Sequence, residues 1–227
     1  MLLSIITATL NAEEFLADCI ESVRSQSGEG FTIEHVIADG GSTDSTVEIA
    51  RSRGCKVIQG KDRGLFDALN KGTAVSSGEV VGCLGADDML MPGAAQAVAR
   101  WYANRTHEWA AGRQLWVDGD GRSLGTTSPP PAWMTPAMFA SLGWSCFDHQ
   151  ATFMTRPFFD TLGGFDPDFR YSGDYKLFAA ALSRSPFDRI DHTLSRFRQH
   201  GKNASTSGSA RLVQENESIA RDYAPGS

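Results

Sequence analysis

The feature that most constrains the fold is a regular alternation of apolar runs and amphipathic segments over about the first hundred residues. Short, continuous apolar runs are typical of strands that are buried on both faces of a parallel sheet. Helices between such strands produce right-handed βαβ units. The sequence therefore predicts an α/β fold with a Rossmann-like, mainly parallel sheet and flanking helices. The predicted strands are 2–8, 32–38, 56–59 and 80–84, and the predicted helices are 11–25, 44–54 and 65–75.

Polar residues follow three of these strands, at the point where each strand ends. Ligands of parallel sheets bind beyond the carboxyl ends of the strands. We therefore expect the polar side chains of these loops to contact the ligand. They are Thr9, Asn11 and Glu13 after the first strand, Asp39 after the second and Asp87 after the fourth.

The pattern changes after Asp88, where aromatic residues and glycines mix with short predicted helices and a hairpin turn at 118–121. No internal repeat and no domain linker separates this part from the first. We interpret the chain as one domain with two halves, 1–105 and 106–208, followed by a C-terminal helix or tail at 209–227.

The composition excludes several classes of protein. The net charge of −6 argues against nucleic-acid binding, which needs a basic face. No apolar run approaches the roughly 20 residues of a membrane-spanning helix, and we expect the apolar start to be a buried strand instead of a signal peptide. The four cysteines are far apart and include no C-x-x-C pair, which favours a reduced, cytoplasmic setting over a zinc cluster or a disulfide framework.

Asp87 and Asp88 are adjacent carboxylates directly after a buried strand. Hard divalent cations prefer such oxygen ligands and often bridge phosphates. The alternative is a loop that caps the following helix, since Asp is common at that position. Two carboxylates near the core are costly without a cation, but local sequence leaves both interpretations open.

Asp39, Arg63 and Asn70 each have two interpretations. Asp39 could accept a hydrogen bond from a nucleotide base, or it could form the turn in Asp-Gly-Gly. Arg63 precedes a helix and could grip a diphosphate, or it could be a solvated surface residue. Asn70 lies on that helix and could contact the nucleotide sugar, or it could be merely exposed, as most polar side chains on such a helix are.

Four residues of the second half are further candidates. Asp174 could be a general base for an acceptor hydroxyl, or it could cap a helix. His149 and Gln150 could contact a diphosphate or an acceptor, although a His at the start of a strand is more often structural. His200 lies in a polar loop, where it could be a metal ligand or simply solvated.

Five motifs follow one another along the chain, at 4–11, 37–44, 62–72, 77–79 and 85–88. In this order they resemble those of the inverting GT-A glycosyltransferases of family 2. The resemblance is strong over 2–92 and looser from there to Asp174. Two positions depart from the family's pattern: Ala86 lacks the first carboxylate of the Asp-x-Asp-like element, and Gly173 replaces an acidic residue that often precedes the base.

The resemblance implies a GT-A fold, a nucleotide diphosphate sugar as donor, a sugar or lipid-linked sugar as acceptor, and Mn²⁺ or Mg²⁺ as cofactor. Asp39 would bind the nucleotide base, and Asp88 would be the main metal ligand, with Asp87 supporting it or meeting the ribose. Asp174 would be the catalytic base. Residues 1–105 would be the nucleotide-sugar-binding half and 106–208 the acceptor-side half. A lipid-linked acceptor would place the protein peripherally at the inner membrane surface.

The sequence thus favours a metal-dependent inverting glycosyltransferase that makes a cell-surface polysaccharide or glycoconjugate. A sugar nucleotidyltransferase is the first alternative, but it would carry basic residues in a Gly-rich loop where this chain has the acidic loop 9–14. A non-catalytic nucleotide-sugar-binding module is the second. A dinucleotide-dependent enzyme is disfavoured, since no G-x-G-x-x-G follows the first strand. The oligomeric state is not indicated.

Overall fold

The computed structural model of the chain describes residues 1–201, 203 and 210–223. Parts of the predicted segments 106–208 and 209–227 lie outside the described residues. The strands are β1 (Leu2–Thr9), β2 (Thr32–Asp39), β3 (Lys56–Gln59), β4 (Val80–Cys83), β5 (Met89–Leu90), β6 (Trp109–Asp118), β7 (Ser123–Thr127), β8 (Thr152–Thr155) and β9 (Asp188–Gln199). The helices are α1 (Leu16–Arg24), α2 (Thr46–Ser52), α3 (Leu65–Val75), α4 (Ala94–Asn104), α5 (Pro136–Ser141), α6 (Arg156–Leu162), α7 (Gly173–Arg184) and α8 (Ala210–Tyr223), with a 3-10 helix at His149–Ala151.

The described strands form one sheet in the order β3-β2-β1-β4-β8-β6-β9-β5, with β7 paired to β6. β3, β2, β1 and β4 run parallel. β8 is antiparallel to both β4 and β6, whereas β9 is parallel to β6. The predicted α/β fold with a Rossmann-like sheet is confirmed, and its parallel character is concentrated in the first four strands of the chain.

Helices pack on both faces of this sheet. Successive residues of a strand point to opposite faces, so each strand contributes side chains to both packing layers. On one face Ile5 of β1 lies in an apolar cluster with Leu16 of α1. On the other face its neighbour Ile6 lies in a cluster with Phe66 of α3. All four side chains are at most 2% exposed, so apolar packing closes both faces of β1 at these positions.

The loop after β1 differs from the sequence pattern. The spacing of Asn11 and Glu14 predicts a capping box that starts the helix at Asn11, but α1 begins at Leu16 and has no side-chain cap. This prediction is wrong, because Asn11 has a left-handed backbone with φ of 51° and its carboxamide oxygen accepts a hydrogen bond from the Thr43 backbone N–H at 2.9 Å.

The second half of the chain extends the same sheet. β8 pairs with β4, and β6 continues from β8, so the halves 1–105 and 106–208 share one sheet; where the functional boundary lies stays a prediction. None of the described helices has both the length and the apolar composition that crossing a membrane requires.

Candidate active site

The turn after β4 carries the two adjacent aspartates, and it orients them differently. Asp88 is 1% exposed. Its carboxylate accepts hydrogen bonds from the Gln150 side-chain amide at 2.9 Å and from the Arg198 backbone N–H at 3.0 Å. Burial, together with the neighbouring Asp87 charge, raises the pKa of Asp88 to about 7. Asp88 therefore lies inside the protein and joins three distant segments.

A buried chain of amides extends from Asp88. Gln114 of β6 donates hydrogen bonds to the Gln150 side-chain oxygen at 3.1 Å and to the Ser195 hydroxyl of β9 at 3.0 Å. With its oxygen held by Gln114, the Gln150 amide presents its NH₂ group to Asp88. These hydrogen bonds between side-chain amides fix the 3-10 helix at His149–Ala151 against the sheet.

Asp87 has different partners from Asp88, and 30% of its side chain is exposed. One carboxylate oxygen lies 2.9 Å from His200 Nε2 and accepts a hydrogen bond from the Asn203 amide at 3.2 Å. His200 follows the end of β9 and packs on the Phe15 ring, with centroids 5.1 Å apart. The end of β9 thus brings an imidazole to the exposed carboxylate of the turn.

Asp87 and His200 place a carboxylate oxygen and an imidazole nitrogen 2.9 Å apart. A carboxylate and an imidazole are both suitable ligands for Mn²⁺. No group of three or more His, Cys, Asp or Glu side chains within 1–201, 203 and 210–223 is placed to hold a metal ion. Cations of this type commonly take one or two protein ligands and complete their shell with substrate phosphates. The pair Asp87 and His200 fits that kind of site.

Asp39 ends β2 and is 2% exposed. One oxygen accepts hydrogen bonds from the hydroxyls of Thr9 and Ser42, and the other accepts from the backbone N–H groups of Gly41 and Ser42. Burial alone would raise the pKa of Asp39, but the hydrogen bonds hold it below its usual range. A carboxylate has about four acceptor positions, so those of Asp39 are filled by its own loop together with Thr9 of β1.

The loop after β1 is tied to the loop after β2. Besides the Asn11–Thr43 bond, the Glu13 carboxylate accepts a hydrogen bond from the Ser45 backbone N–H at 2.9 Å. The Glu13 backbone N–H in turn donates to Asp44 at 3.2 Å. Thr9, Asn11, Glu13 and Asp39 are therefore brought together, as parts of one hydrogen-bonded rim.

Arg63 and Asn70 do not join these residues. Arg63 is largely exposed and lies 3.7 Å from Asp67 and 3.4 Å from Asp168. Asn70 uses its carboxamide on the backbone of Phe165, donating at 2.7 Å and accepting at 2.9 Å. The structure thus gives Asn70 a role in fixing a turn of the second half against α3.

Asp174 lies in the first turn of α7, and its carboxylate is 3.4 Å from His149 Nδ1. Burial alone would lower the pKa of His149, but the Asp174 carboxylate raises it above the usual value. The other Asp174 oxygen accepts from the Tyr175 backbone N–H at 2.8 Å. Among the described residues, these contacts leave an acceptor position on each oxygen. Because 21% of the side chain is exposed, a hydroxyl group could reach the carboxylate.

Glu215 of α8 anchors the segment before Asp174, which sequence reasoning did not anticipate. Its carboxylate accepts hydrogen bonds from three consecutive backbone N–H groups, those of Arg170, Tyr171 and Ser172, at 2.8 to 3.0 Å. Neither its sequence position nor its residue type indicated this contact. The sequence pattern also did not indicate Gln114 and Arg198, because each forms its hydrogen bond with a residue at least 36 positions away.

Solved structures share this architecture. A Staphylococcus aureus TarS fragment (1–349) in complex with UDP-GlcNAc matches with a TM-score of 0.72 and 16% identity, over 98% of this chain and 71% of that chain. The mannosyltransferase PcManGT from Pyrobaculum calidifontis, in complex with GDP-Man and Mn²⁺, matches with a TM-score of 0.59 and 21% identity, over 84% of this chain and 54% of that chain. At these identities the likeness shows the fold, and the GT-A-like fold is confirmed.

Sequence comparison gives the family. An uncharacterized glycosyltransferase of Mycobacterium tuberculosis is 32% identical over 81% of this chain and 70% of its own length. A Mycobacterium bovis PGL/p-HBAD biosynthesis glycosyltransferase is 40% identical over 38% of this chain, and the match spans only 36% of that relative's length. The sequence model of "Glycosyl transferase family 2" matches residues 4–162. This match, with the fold described above, shows that the chain belongs to glycosyl transferase family 2.

Proposed function

We propose that this chain transfers a sugar from a nucleoside diphosphate to an acceptor hydroxyl, with inversion at the anomeric carbon. The observation that carries the proposal is one continuous polar site. Asp87 and His200 lie on one side, His149 and Asp174 lie on the other, and Asp88 and Gln150 connect them. The nucleotide sugars bound by the structural neighbours support the donor class.

The geometry favours Asp87 as the cation ligand, in place of the Asp88 that the family resemblance implies. Asp88 is buried and engaged by Gln150 and Arg198, whereas Asp87 is exposed beside His200. A divalent cation at Asp87 and His200, either Mn²⁺ or Mg²⁺, would stabilise the charge that develops on the leaving diphosphate. Asp88 would then hold the turn and the end of β9 in place.

Asp174 is the proposed base. The acceptor O–H bond gives its proton to a free acceptor position of the Asp174 carboxylate, and the acceptor oxygen forms a bond to the anomeric carbon. The bond from that carbon to the diphosphate oxygen breaks, and the nucleoside diphosphate leaves with the electron pair. His149, at 3.4 Å, would orient the carboxylate.

The rim formed by the loops after β1 and β2 is the proposed nucleoside site. Because all acceptor positions of the Asp39 carboxylate are occupied, Asp39 would act chiefly by shaping this rim. A contact to the nucleotide base would require one of the four hydrogen-bond donors of Asp39 to turn away. Arg63 would reach a diphosphate only by leaving Asp67 and Asp168, and Gln150 would act through Asp88.

A thermal-shift screen of nucleotide sugars tests the donor proposal. With Mn²⁺ present, at least one nucleotide sugar should raise the melting temperature, because ligand that binds only the folded chain stabilises it. The same donor should be hydrolysed slowly, and chelation should remove both effects. Stabilisation without any turnover would favour a non-catalytic binding module. Turnover of a nucleoside triphosphate with a sugar phosphate would favour a nucleotidyltransferase.

We further propose a role in surface polysaccharide or glycoconjugate synthesis, with a lipid-linked acceptor and peripheral contact to a membrane. An uncharged stretch, 123–147, displays the exposed side chains of Trp133, Met138, Leu142 and Trp144. Tryptophans of this kind favour the membrane interface. The chain should therefore co-sediment with phospholipid vesicles, and a Trp133→Ser, Trp144→Ser double variant should not. Equal sedimentation of both proteins would contradict membrane contact through this stretch.

A further inference from the structure

Two aromatic side chains lie next to each other near the carboxyl ends of β6 and β9. Trp116 of β6 is paired in register with Phe197 of β9. Their ring centroids are 4.7 Å apart at an interplanar angle of 46°. Both residues are only partly buried, so the pair is not part of the closed apolar core.

This pair lies on the same side of the sheet as the candidate active site. Side chains two residues apart on a strand share a face, so Trp116 shares the face of Gln114 and Phe197 shares that of Ser195. Gln114 contacts both Ser195 and Gln150 on this face. The pair thus lies next to Gln114 and Ser195 on the same face, about 7 Å further toward the carboxyl ends of the strands.

Trp116 also carries a polar group that lacks a partner. Within the part of the chain that the structure describes, its indole N–H is the single buried side-chain donor or acceptor with no hydrogen bond. The buried indoles of Trp101 and Trp109 donate to Asp188 and to the Ser185 carbonyl. A buried donor without a partner is unfavourable, and native proteins rarely leave one.

The neighbour on the other side leaves room for a ligand. Gly125 of β7 is paired with Trp116, and a Cβ atom built at this position would meet nothing within 4 Å. The aromatic pair is therefore not covered by a side chain from β7. The open space at the Gly125 position is a route by which a ligand ring could reach the aromatic pair.

We propose that Trp116 and Phe197 form a carbohydrate subsite on the acceptor side, which rests on the transferase function proposed above. The apolar face of a sugar ring packs on the two aromatic rings, and a ring hydroxyl accepts a hydrogen bond from Trp116 Nε1. A nucleotide base is the poorer occupant, because β8 and β4 separate β6 and β9 from the rim at β1 and β2.

The first test uses transfer from the donor found in the screen to simple methyl glycosides of glucose, galactose, mannose and N-acetylglucosamine. Trp116→Phe keeps an aromatic ring but removes the N–H, and it should raise the acceptor KM about threefold to tenfold with the donor KM unchanged. Phe197→Leu should also raise the acceptor KM. Trp101→Phe is the matched control: it removes a satisfied indole bond elsewhere, so it should lower the melting temperature and leave the acceptor KM unchanged.

The second test needs no activity. In a spectrum of isotope-labelled indole N–H groups, the resonance that disappears in Trp116→Phe should shift and saturate as a methyl glycoside is added, whereas those of Trp101 and Trp109 should not. Wild-type transfer with an unchanged acceptor KM in both subsite variants would overturn the subsite alone. Absence of wild-type transfer would count against the proposed function, and an unmoved Trp116 resonance with all four glycosides would then overturn the subsite as well.

Discussion

Asp174→Asn is expected to lower sugar transfer by about 10²–10⁴-fold while leaving donor binding unchanged, since removal of a general base commonly has an effect of this size. The substitution keeps the shape of the side chain and the acceptor oxygen for the Tyr175 backbone N–H. It removes the carboxylate that would take the acceptor's proton. Single-turnover transfer and donor titration by calorimetry, both with Mn²⁺, separate the two quantities.

Asp160→Asn is the matched control for this prediction. Asp160 is an exposed aspartate of α6, so the same chemical change there should alter neither transfer nor donor affinity. Transfer by Asp174→Asn within a few-fold of wild type would exclude Asp174 as the base. A parallel loss of donor binding would instead indicate damage to the whole site.

The second large effect is expected from Asp87→Asn. Replacing the exposed carboxylate beside His200 should abolish the part of donor affinity that depends on Mn²⁺, a loss of at least about a hundredfold, because the amide is a much weaker ligand for a divalent cation. Donor titrations with Mn²⁺ and with a chelator should then coincide for the variant. A wild-type response to Mn²⁺ would show that the cation binds elsewhere.

Asp88→Asn serves as the comparison, because the family resemblance gives the ligand role to that residue. Its buried carboxyl has a pKa raised to about 7, from 3.8 when unperturbed. At pH values between these two, the carboxyl group is deprotonated in the unfolded chain and protonated in the folded chain. The free energy of unfolding therefore falls as the pH rises through this window. In urea unfolding with a chelator present, the free energy of unfolding should fall less with rising pH for Asp88→Asn than for wild type. In donor titrations, Asp88→Asn should retain Mn²⁺-dependent binding.

The early strands show how much of the fold could be predicted. β3 and α3 occupy the ranges that the sequence pattern predicts, since continuous apolar runs and helical periodicity report burial directly. Asn11 was misjudged because the same residue type serves as a helix cap and as a left-handed loop residue, and its partner Thr43 lies 32 residues away. Local pattern cannot distinguish two roles that differ only in a distant partner.

The candidate site shows the same limit. Sequence position predicted that Asp39 and Asp87 lie at one edge of the sheet. The looser family resemblance added His149 and Asp174, and a polar loop added His200. How many acceptor positions of each carboxylate are occupied could not be predicted, because the order of residues does not show where the donors lie in space. Asp39 accepts hydrogen bonds from its own loop and from Thr9 of β1, whereas Asp88 accepts them from β9 and from the 3-10 helix.

The sequence by itself determined the α/β fold, the membership in family 2 and the set of candidate residues, because burial periodicity and ordered motifs are properties of neighbouring residues along the chain. Only the tertiary structure decided how the adjacent pair Asp87 and Asp88 is divided. The turn after β4 points one carboxylate toward Gln150 and Arg198 and the other toward His200. The physical reason is that burial and hydrogen bonding depend on contacts across the sheet, which the order of residues does not specify.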